Sequence, residues 1–330
     1  MSYNKGLVAT LAELEQWYKG QRDGIGDTLE LMNQTNDILS DISFMEANQS
    51  DGHRTRIRTG LPEVYWRRLY KGTPPSKSQW TQVKETTSMM EARMELDRKE
   101  CELYGDKAAA FRLSEGKSFC EAMRQKVATT LFYGDSNVNP DEFNGFAMRY
   151  PSKNSPNVVD AGGTGSKCTS IYLIAWSSDT VHGIYPKGSK AGLEHRDLGE
   201  ETVTDNDGNK FRAMVDLYNW DLGLAVRDWR SVVRIANIDT TKLTLRQGET
   251  GFVDLQKLTI MAKNKMPVTM RNKAIWYMND EVLTALELQS IDKNGVHLTY
   301  GEYFDSKTVA HLHGRPIRQC DALLTTEKAI

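Results

Sequence analysis

A chain of 330 residues with 39% hydrophobic content can form one large domain or two to three smaller ones around a real core. Forty-two lysines and arginines against 44 aspartates and glutamates leave a formal charge of −2 and a pI near 6.3. This excludes a dedicated basic nucleic-acid binder, for which a domain pI above ~9 is expected, but leaves room for a local patch that touches phosphates.

The N-terminus, Met1-Ser-Tyr-Asn-Lys5, lacks the charged-then-apolar pattern of a secretory signal. The longest apolar runs, such as Ile171–Trp176, fall well short of the ~20 residues of a membrane span, so a soluble intracellular product without membrane contact is expected. Residues 1–53 read as an arm. Leu7, Leu11, Leu14 and Trp17/Tyr18 recur at helical spacing over Gly6–Lys19, a glycine-rich break follows, and Asp27–Asp41 mixes apolar and amide residues. The arm is too short to enclose a core, so its apolar residues are expected to dock elsewhere.

Residues 54–100 change character. Pro62–Gly72 is rich in aromatic and β-favouring residues, Thr73-Pro-Pro-Ser-Lys-Ser78 is a breaker, and Gln79–Thr87 returns. Strand, tip and strand predict a long hairpin that exposes Tyr65, Trp66, Tyr70 and Trp80. A two-stranded hairpin is marginal alone in water, so it should lie on another surface, either its own domain or another copy. Next comes a helix over Ser114–Tyr133, with Ser114 as N-cap, Gly116 weakening its first turn, and Phe119, Cys120, Met123, Val127 and Leu131 at helical spacing. Gly134 fits the position just past its end.

Beyond Tyr150, strands are expected at Ser170–Trp176 and Val181–Tyr185. A hairpin over Glu200–Val215 turns at Asn206–Asn209, and a buried β-rich run covers Tyr218–Asp239. The last third alternates a helix (Asp254–Lys263), a buried strand (Ala274–Met278), a helix capped by Asn279 (Asp280–Gln289), a strand (Val296–Tyr300) and a short edge strand (Gly314–Cys320).

Chemical motifs are weak. Gly162-Gly-Thr-Gly-Ser-Lys-Cys168 lacks phosphate-loop spacing and leads into a strand, so it reads as a linker. Asp205-Asn-Asp-Gly208 lacks the rest of a calcium loop and reads as a turn. Cys101, Cys120, Cys168 and Cys320 form no CxxC pair, so reduced thiols are expected. His311 and His313 could share one strand face and, with Asp321, serve a metal-dependent hydrolase, but a third dependable ligand is missing. The balance favours no enzyme, no cofactor and no metal. The most basic stretch is Arg54/Arg56/Arg58 with Arg67/Arg68, interleaved with aromatics. It suits either phosphates or a salt-bridged surface between subunits.

Taken in order, the arm, the hairpin, the helix closing on Phe132-Tyr-Gly-Asp135 and Phe143-Asn-Gly-Phe146, and a terminal unit with Gly314-Arg-Pro-Ile317 and Asp321-Ala322 resemble a known family. They are similar to the major capsid proteins of tailed bacteriophages with the Hong Kong 97-type fold, nearest the epsilon-fifteen-like short-tailed group. Leu31–Leu39, Thr59–Pro62 with Trp66-Arg67, Trp220–Arg230 and Arg234–Asp239 carry the resemblance further.

The resemblance implies an α+β capsid fold whose element order is permuted relative to the best-known member. It assigns residues 1–53 to an N-arm, 54–100 to an E-loop, 101–240 to a P-domain with spine helix 114–133, and 241–330 to an A-domain. Its implied intersubunit residues are Tyr65, Trp66, Arg67, Arg68, Tyr70, Pro74, Pro75, Lys77 and Trp80 in the E-loop. Leu29, Leu31, Met32, Ile38 and Leu39 belong to the N-arm, and Phe119, Met123, Val127 and Leu131 pack the spine. It further implies hexamers and pentamers in an icosahedral shell round double-stranded DNA, touched non-specifically. A separate scaffolding protein, a portal and a decoration protein are the implied partners, with synthesis in the bacterial cytoplasm. Lys77 sits where some members crosslink, but no partner asparagine is identifiable and no crosslink is expected.

Overall fold

Residues 171–175 and 232–236 are uninterrupted apolar runs apart from Arg234, and such runs suit strands covered on both faces. The computed structural model, which describes residues 34–50, 52–245, 249–292, 298–302 and 308–330, places both at the centre of a sheet. The expectations for Gly6–Lys19 and for Leu29, Leu31 and Met32 lie outside the described residues.

In chain order the elements are α1 (Ile38–Asp41), β1 (Phe44–Glu46), β2 (Gly52–Gly60), β3 (Gln79–Asp97), α2 (Arg98–Leu103), α3 (Ala108–Tyr133) and α4 (Phe146–Arg149). Six strands follow: β4 (Val158–Asp160), β5 (Cys168–Ala175), β6 (Val181–Tyr185), β7 (Glu194–Thr204), β8 (Lys210–Val226) and β9 (Val232–Asp239). The last third holds α5 (Leu255–Lys265), α6 (Val268–Arg271), β10 (Ala274–Met278), α7 (Asp280–Asp292), β11 (Leu298–Glu302), β12 (Thr308–Leu312) and β13 (Arg315–Gln319). One sheet runs β11-β12-β13-β10-β5-β9-β4, and the other runs β1-β6-β8-β3-β2 with β7 also on β8.

The chain forms two compact units. The described part of the smaller one is Arg93–Glu121 with Arg196–Leu217. Its apolar core is small, with Val203, Ala213 and Val215 packed by Phe211, and Tyr104 stacks on Phe111 at 4.2 Å. Ion pairs supplement it: Arg93 to Glu201 at 2.7 Å, Arg98 to Glu200 at 2.9 Å, and Arg112 to Asp216 at 2.8 Å. The β7–β8 turn closes where the sequence predicts, because the Asp205 carboxylate accepts from the Asp207 and Asn209 amides at 3.0 and 2.7 Å.

The larger unit is Gln34–Ala92, Ala122–His195 and Tyr218–Ile330. Successive side chains of a strand point to opposite faces, so β5 and β9 feed two cores. Tyr172, Ile174, Val232 and Ala236 face one, closed by Val127, Ala128, Leu131 and Phe132 of α3. Ile171, Leu173, Val233 and Ile235 face the other, closed by Leu255 and Ala262 of α5 and by Val282 and Leu286 of α7. Asp254 and Asn279 cap these two helices by accepting from Lys257 N at 3.1 Å and Val282 N at 3.0 Å.

A charged knot ties the last residues to this sheet. Arg234, 4% exposed, donates to Glu327 at 2.9 Å, to Ser170 Oγ at 3.1 Å and to the Tyr150 carbonyl at 3.0 Å. The other Glu327 oxygen accepts from Tyr133 at 2.5 Å. Burial and the Glu327 charge together push the Tyr133 phenol well above its ordinary pKa.

Four expectations need correction. The long helix starts at Ala108, not Ser114, because Ala108-Ala-Ala-Phe-Arg-Leu113 are strong helix formers that carry it upstream. Ser114 is therefore no cap, and Gly116 lies in the helix interior. Gly134 is required by close packing instead of a left-handed turn: a Cβ there would meet the Phe143 carbonyl at 2.3 Å. The strand at 315–319 is internal, pairing β10 in parallel and β12 antiparallel despite Pro316. Finally, Pro62–Gly72 is not a strand. The first strand of the hairpin is β2, whose partner register runs from Gly52↔Thr86 to Gly60↔Gln79.

Candidate intersubunit interface

The hairpin is fixed at its base and bare at its tip. At the base, Arg149 of α4 grips Glu85 of β3 with two 2.7 Å hydrogen bonds and also donates to the Leu224 carbonyl at 3.1 Å. Such a two-pronged pair sets position as well as energy. Glycine is needed at position 52, where φ is +151° and a Cβ would stand 2.1 Å from the Glu85 carbonyl oxygen. His53 of β2 meets His182 of β6 edge-on at 5.8 Å. His182 is fully buried, and burial, then His53 and Arg227, lower its pKa to about 4 against a weaker opposing interaction with the Ser177 backbone.

Along β2 the alternation Arg54, Arg56, Arg58 puts three cations on the outer face, while Thr55 between them is buried. Opposite them across the ladder stand Lys84, Gln82 and Trp80. Arg58 lies 4.3 Å over the Trp80 ring, a cation–π contact that orients both side chains. Residues 61–78 form no helix or strand and make few bonds of their own. Ser76 Oγ donates to the Glu63 carbonyl at 2.7 Å, the Tyr65 hydroxyl donates to the Glu63 carboxylate, and a turn at Tyr70, with φ +63°, closes with Lys71 N on the Arg68 carbonyl at 3.2 Å. Trp66 and Tyr70 are fully exposed, and Leu61, Val64 and Leu69 nearly so. Arg67, Arg68, Pro74, Pro75 and Lys77 are exposed as well. Large apolar side chains exposed within one short segment make it a candidate interaction site.

The charge distribution sharpens this. Residues 52–86 carry eight lysines and arginines against two glutamates, a balance of +6, while the rest of the chain holds −8. The hairpin is therefore the positive pole of a nearly neutral molecule.

The other predicted residues are distributed differently. Met123, Val127 and Leu131 are buried, and Phe119 is half-buried. Ile38 is wholly buried in its own chain's core with Leu39 packed beside it, so Ile38 is spent on the fold and is not free for a neighbour. The histidine set does not converge on a metal. His313 has φ +52° in the turn after β12 and shares a 3.2 Å hydrogen bond with Thr259, whereas Asp321 accepts from Thr35 N at 2.8 Å and Gln319 at 2.9 Å. Among the described residues no group of three or more His, Cys, Asp or Glu could hold a metal ion. No helix among them is long and apolar enough to cross a membrane. Sequence reasoning missed the Arg149–Glu85 anchor, whose partners are far apart in sequence and carry no local signal.

The family model described as Major capsid protein GP7 matches residues 20–330. A chain in the cryo-EM structure of bacteriophage Epsilon15 is 32% identical, with a TM-score of 0.73 over 100% of this chain and 99% of that one. A chain of the bacteriophage JBD30 capsid is 10% identical, with a TM-score of 0.49 over 85% of this chain and 90% of that one. No curated protein matches the chain. With full-length identity above three-tenths and a family match over nearly all its residues, this chain belongs to the Major capsid protein GP7 family and is a phage coat protein, a subunit of the virion capsid.

Proposed function

We propose that the coat protein builds six- and five-fold capsomers of an icosahedral head around double-stranded DNA, and that residues 54–100, most of the hairpin β2–β3 with its tip, are the E-loop by which each copy grips a neighbour. The observation that carries this reading is the tip 61–78, whose Trp66, Tyr70, Leu61, Val64 and Leu69 are exposed while the hairpin base is anchored by Arg149–Glu85. Exposed aromatics at that density cost solubility unless a partner covers them. In this reading the arm before residue 54 reaches a neighbour too, α3 is the spine of the P-domain, and 241–330 is the A-domain. Synthesis in the host cytoplasm, a separate scaffolding protein, a portal, a decoration protein and non-specific DNA contact complete the proposal. Stability is then inseparable from assembly, since a folded subunit gains from every copy that binds it.

Negative-stain microscopy and light scattering of the expressed chain, alone and with its scaffolding protein, test the reading. Shells or capsomers are the expected result. A compact particle that stays monomeric under all assembly conditions would contradict it.

A further inference from the structure

We propose that a cavity along the outer edge of β2, bordered on its other side by the turn between β8 and β9, binds phosphate groups. That the phosphates include those of packaged DNA rests on the coat reading above. The cavity measures about 620 Å³, an ordinary size for a ligand site. Seven consecutive residues, Thr55–Leu61, line it, so it follows the edge of the strand and not one face alone. β2 ends its sheet and pairs only with β3 among the described strands, which leaves every second backbone N–H pointing away from the ladder.

Three observations point to this ligand. The first is charge. Arg56 and Arg58 of β2 and Arg227 and Arg230 of the turn line the cavity, against Asp179 and Asp228. Asp228 is engaged by Arg230 at 3.0 and 2.8 Å, and Asp179 stands 3.9 Å from Arg227 with its side chain 89% exposed. Among the described residues no carboxylate pairs with Arg56 or Arg58, and their ladder partners Gln82 and Trp80 bring none. Burial, then the charge of Arg227, lower the pKa of His53, so Asp179 does not cancel that cation. The second is an unsatisfied donor. Thr55 is 8% exposed, and its hydroxyl has no hydrogen-bond partner. A buried hydroxyl is costly when unpaired, and a phosphate oxygen beside it would accept from it. The third is spacing. Arg54, Arg56 and Arg58 follow at two-residue steps, roughly 6.6 Å apart by the rise of a strand, close to the step between neighbouring phosphates of a nucleic-acid chain. Arg58 is already held 4.3 Å over Trp80, so its guanidinium is in place before a ligand arrives. The planar forks of arginine match pairs of phosphate oxygens.

Calorimetric titration of the full chain with sodium phosphate, against sodium chloride at equal ionic strength, reads the site directly. Phosphate should bind. Competition by a short DNA duplex assigns the site to a nucleic-acid backbone, and phosphate binding without such competition assigns it to a free phosphate; both support the site. Arg56→Gln with Arg58→Gln should leave the circular dichroism unchanged and weaken phosphate binding about tenfold. Thr55→Val should weaken it by a smaller factor, yet leave the unliganded chain at least as resistant to urea as the parent, because the hydroxyl removed is unpaired. If loss of the Trp80 contact disturbs the fold, Arg56→Gln alone, on an exposed side chain, carries the same test. No heat beyond that of chloride would overturn the proposal, as would undiminished binding by the folded arginine variants. Displacement of phosphate by an acidic peptide at lower concentration would overturn it too, since the partner is then a protein carboxylate. The coat reading falls separately, when the chain stays monomeric under all assembly conditions whatever it binds.

Discussion

The seven-stranded sheet and the hairpin tip belong to the same compact unit but spend their apolar residues in opposite ways. In the sheet, every residue of β5 and β9 is buried, and a lone arginine, Arg234, is admitted only because Glu327, Ser170 and the Tyr150 carbonyl satisfy it. In the tip, Trp66 and Tyr70 have no cover at all, and four cations crowd round them. A fully buried large apolar side chain is worth ~1.5–3 kcal/mol to the fold, so the sheet holds the molecule together. The tip contributes almost nothing of that kind. In the proposed reading, its residues acquire value when a second chain covers them.

Substitutions on the two sides should separate sharply. The largest effect belongs to the helix that closes the sheet's first core: Val127→Asp buries an unpaired charge beside Leu131 and Phe132 and should cost more than ~4 kcal/mol, leaving no cooperative thermal transition by circular dichroism. Arg234→Ala comes next. It strands the Glu327 charge in a site where both partners are almost wholly buried, and should cost ~3–5 kcal/mol in urea unfolding.

A smaller, pH-dependent effect sits at the hairpin base. The folded chain refuses a proton at His182 until about pH 4, whereas the unfolded chain accepts it near its ordinary value of about 6.5. The unfolded state therefore binds more protons between those values, and stability falls as pH drops through that window, by up to ~1.4 kcal/mol per unit. His53 and Arg227 reinforce the refusal, and the Ser177 backbone and Asp179 oppose it more weakly. His182→Phe should flatten the slope measured by urea unfolding from pH 7 to 4. An unchanged slope would assign acid sensitivity to the carboxylates instead.

Much of the sheet is readable in the residues themselves. Ala274-Ile-Trp-Tyr-Met278 and Val232-Val-Arg-Ile-Ala236 carry enough contiguous hydrophobicity to be strands in any context, and Asp254 and Asn279 announce their helices through capping chemistry. The hairpin is less readable because aromatic content suggested a strand at Pro62–Gly72, where the backbone pairs with no neighbouring strand. Its true first strand was signalled by the alternation Arg54-Thr-Arg-Ile-Arg58, a weaker pattern because cations occupy the outward face. The strand expected at an edge over Gly314–Cys320 is likewise enclosed on both sides by tertiary pairing. The cavity between β3, α3 and the loop after it was not readable at all. Met89, Val127 and Phe143 come from three separated segments, and only the fold brings them together.

The smallest effect on the fold, and the largest on function, is expected where residues 72–79 are shortened, since none of their exposed side chains supports the core and the change in stability should stay within ~0.5 kcal/mol. Sedimentation velocity of that variant beside the parent chain, under conditions where the parent forms shells, tests the division of labour most directly. The account predicts a single slow boundary of folded subunit for the variant and fast-sedimenting particles for the parent. Particles of parental size from the shortened chain would contradict it.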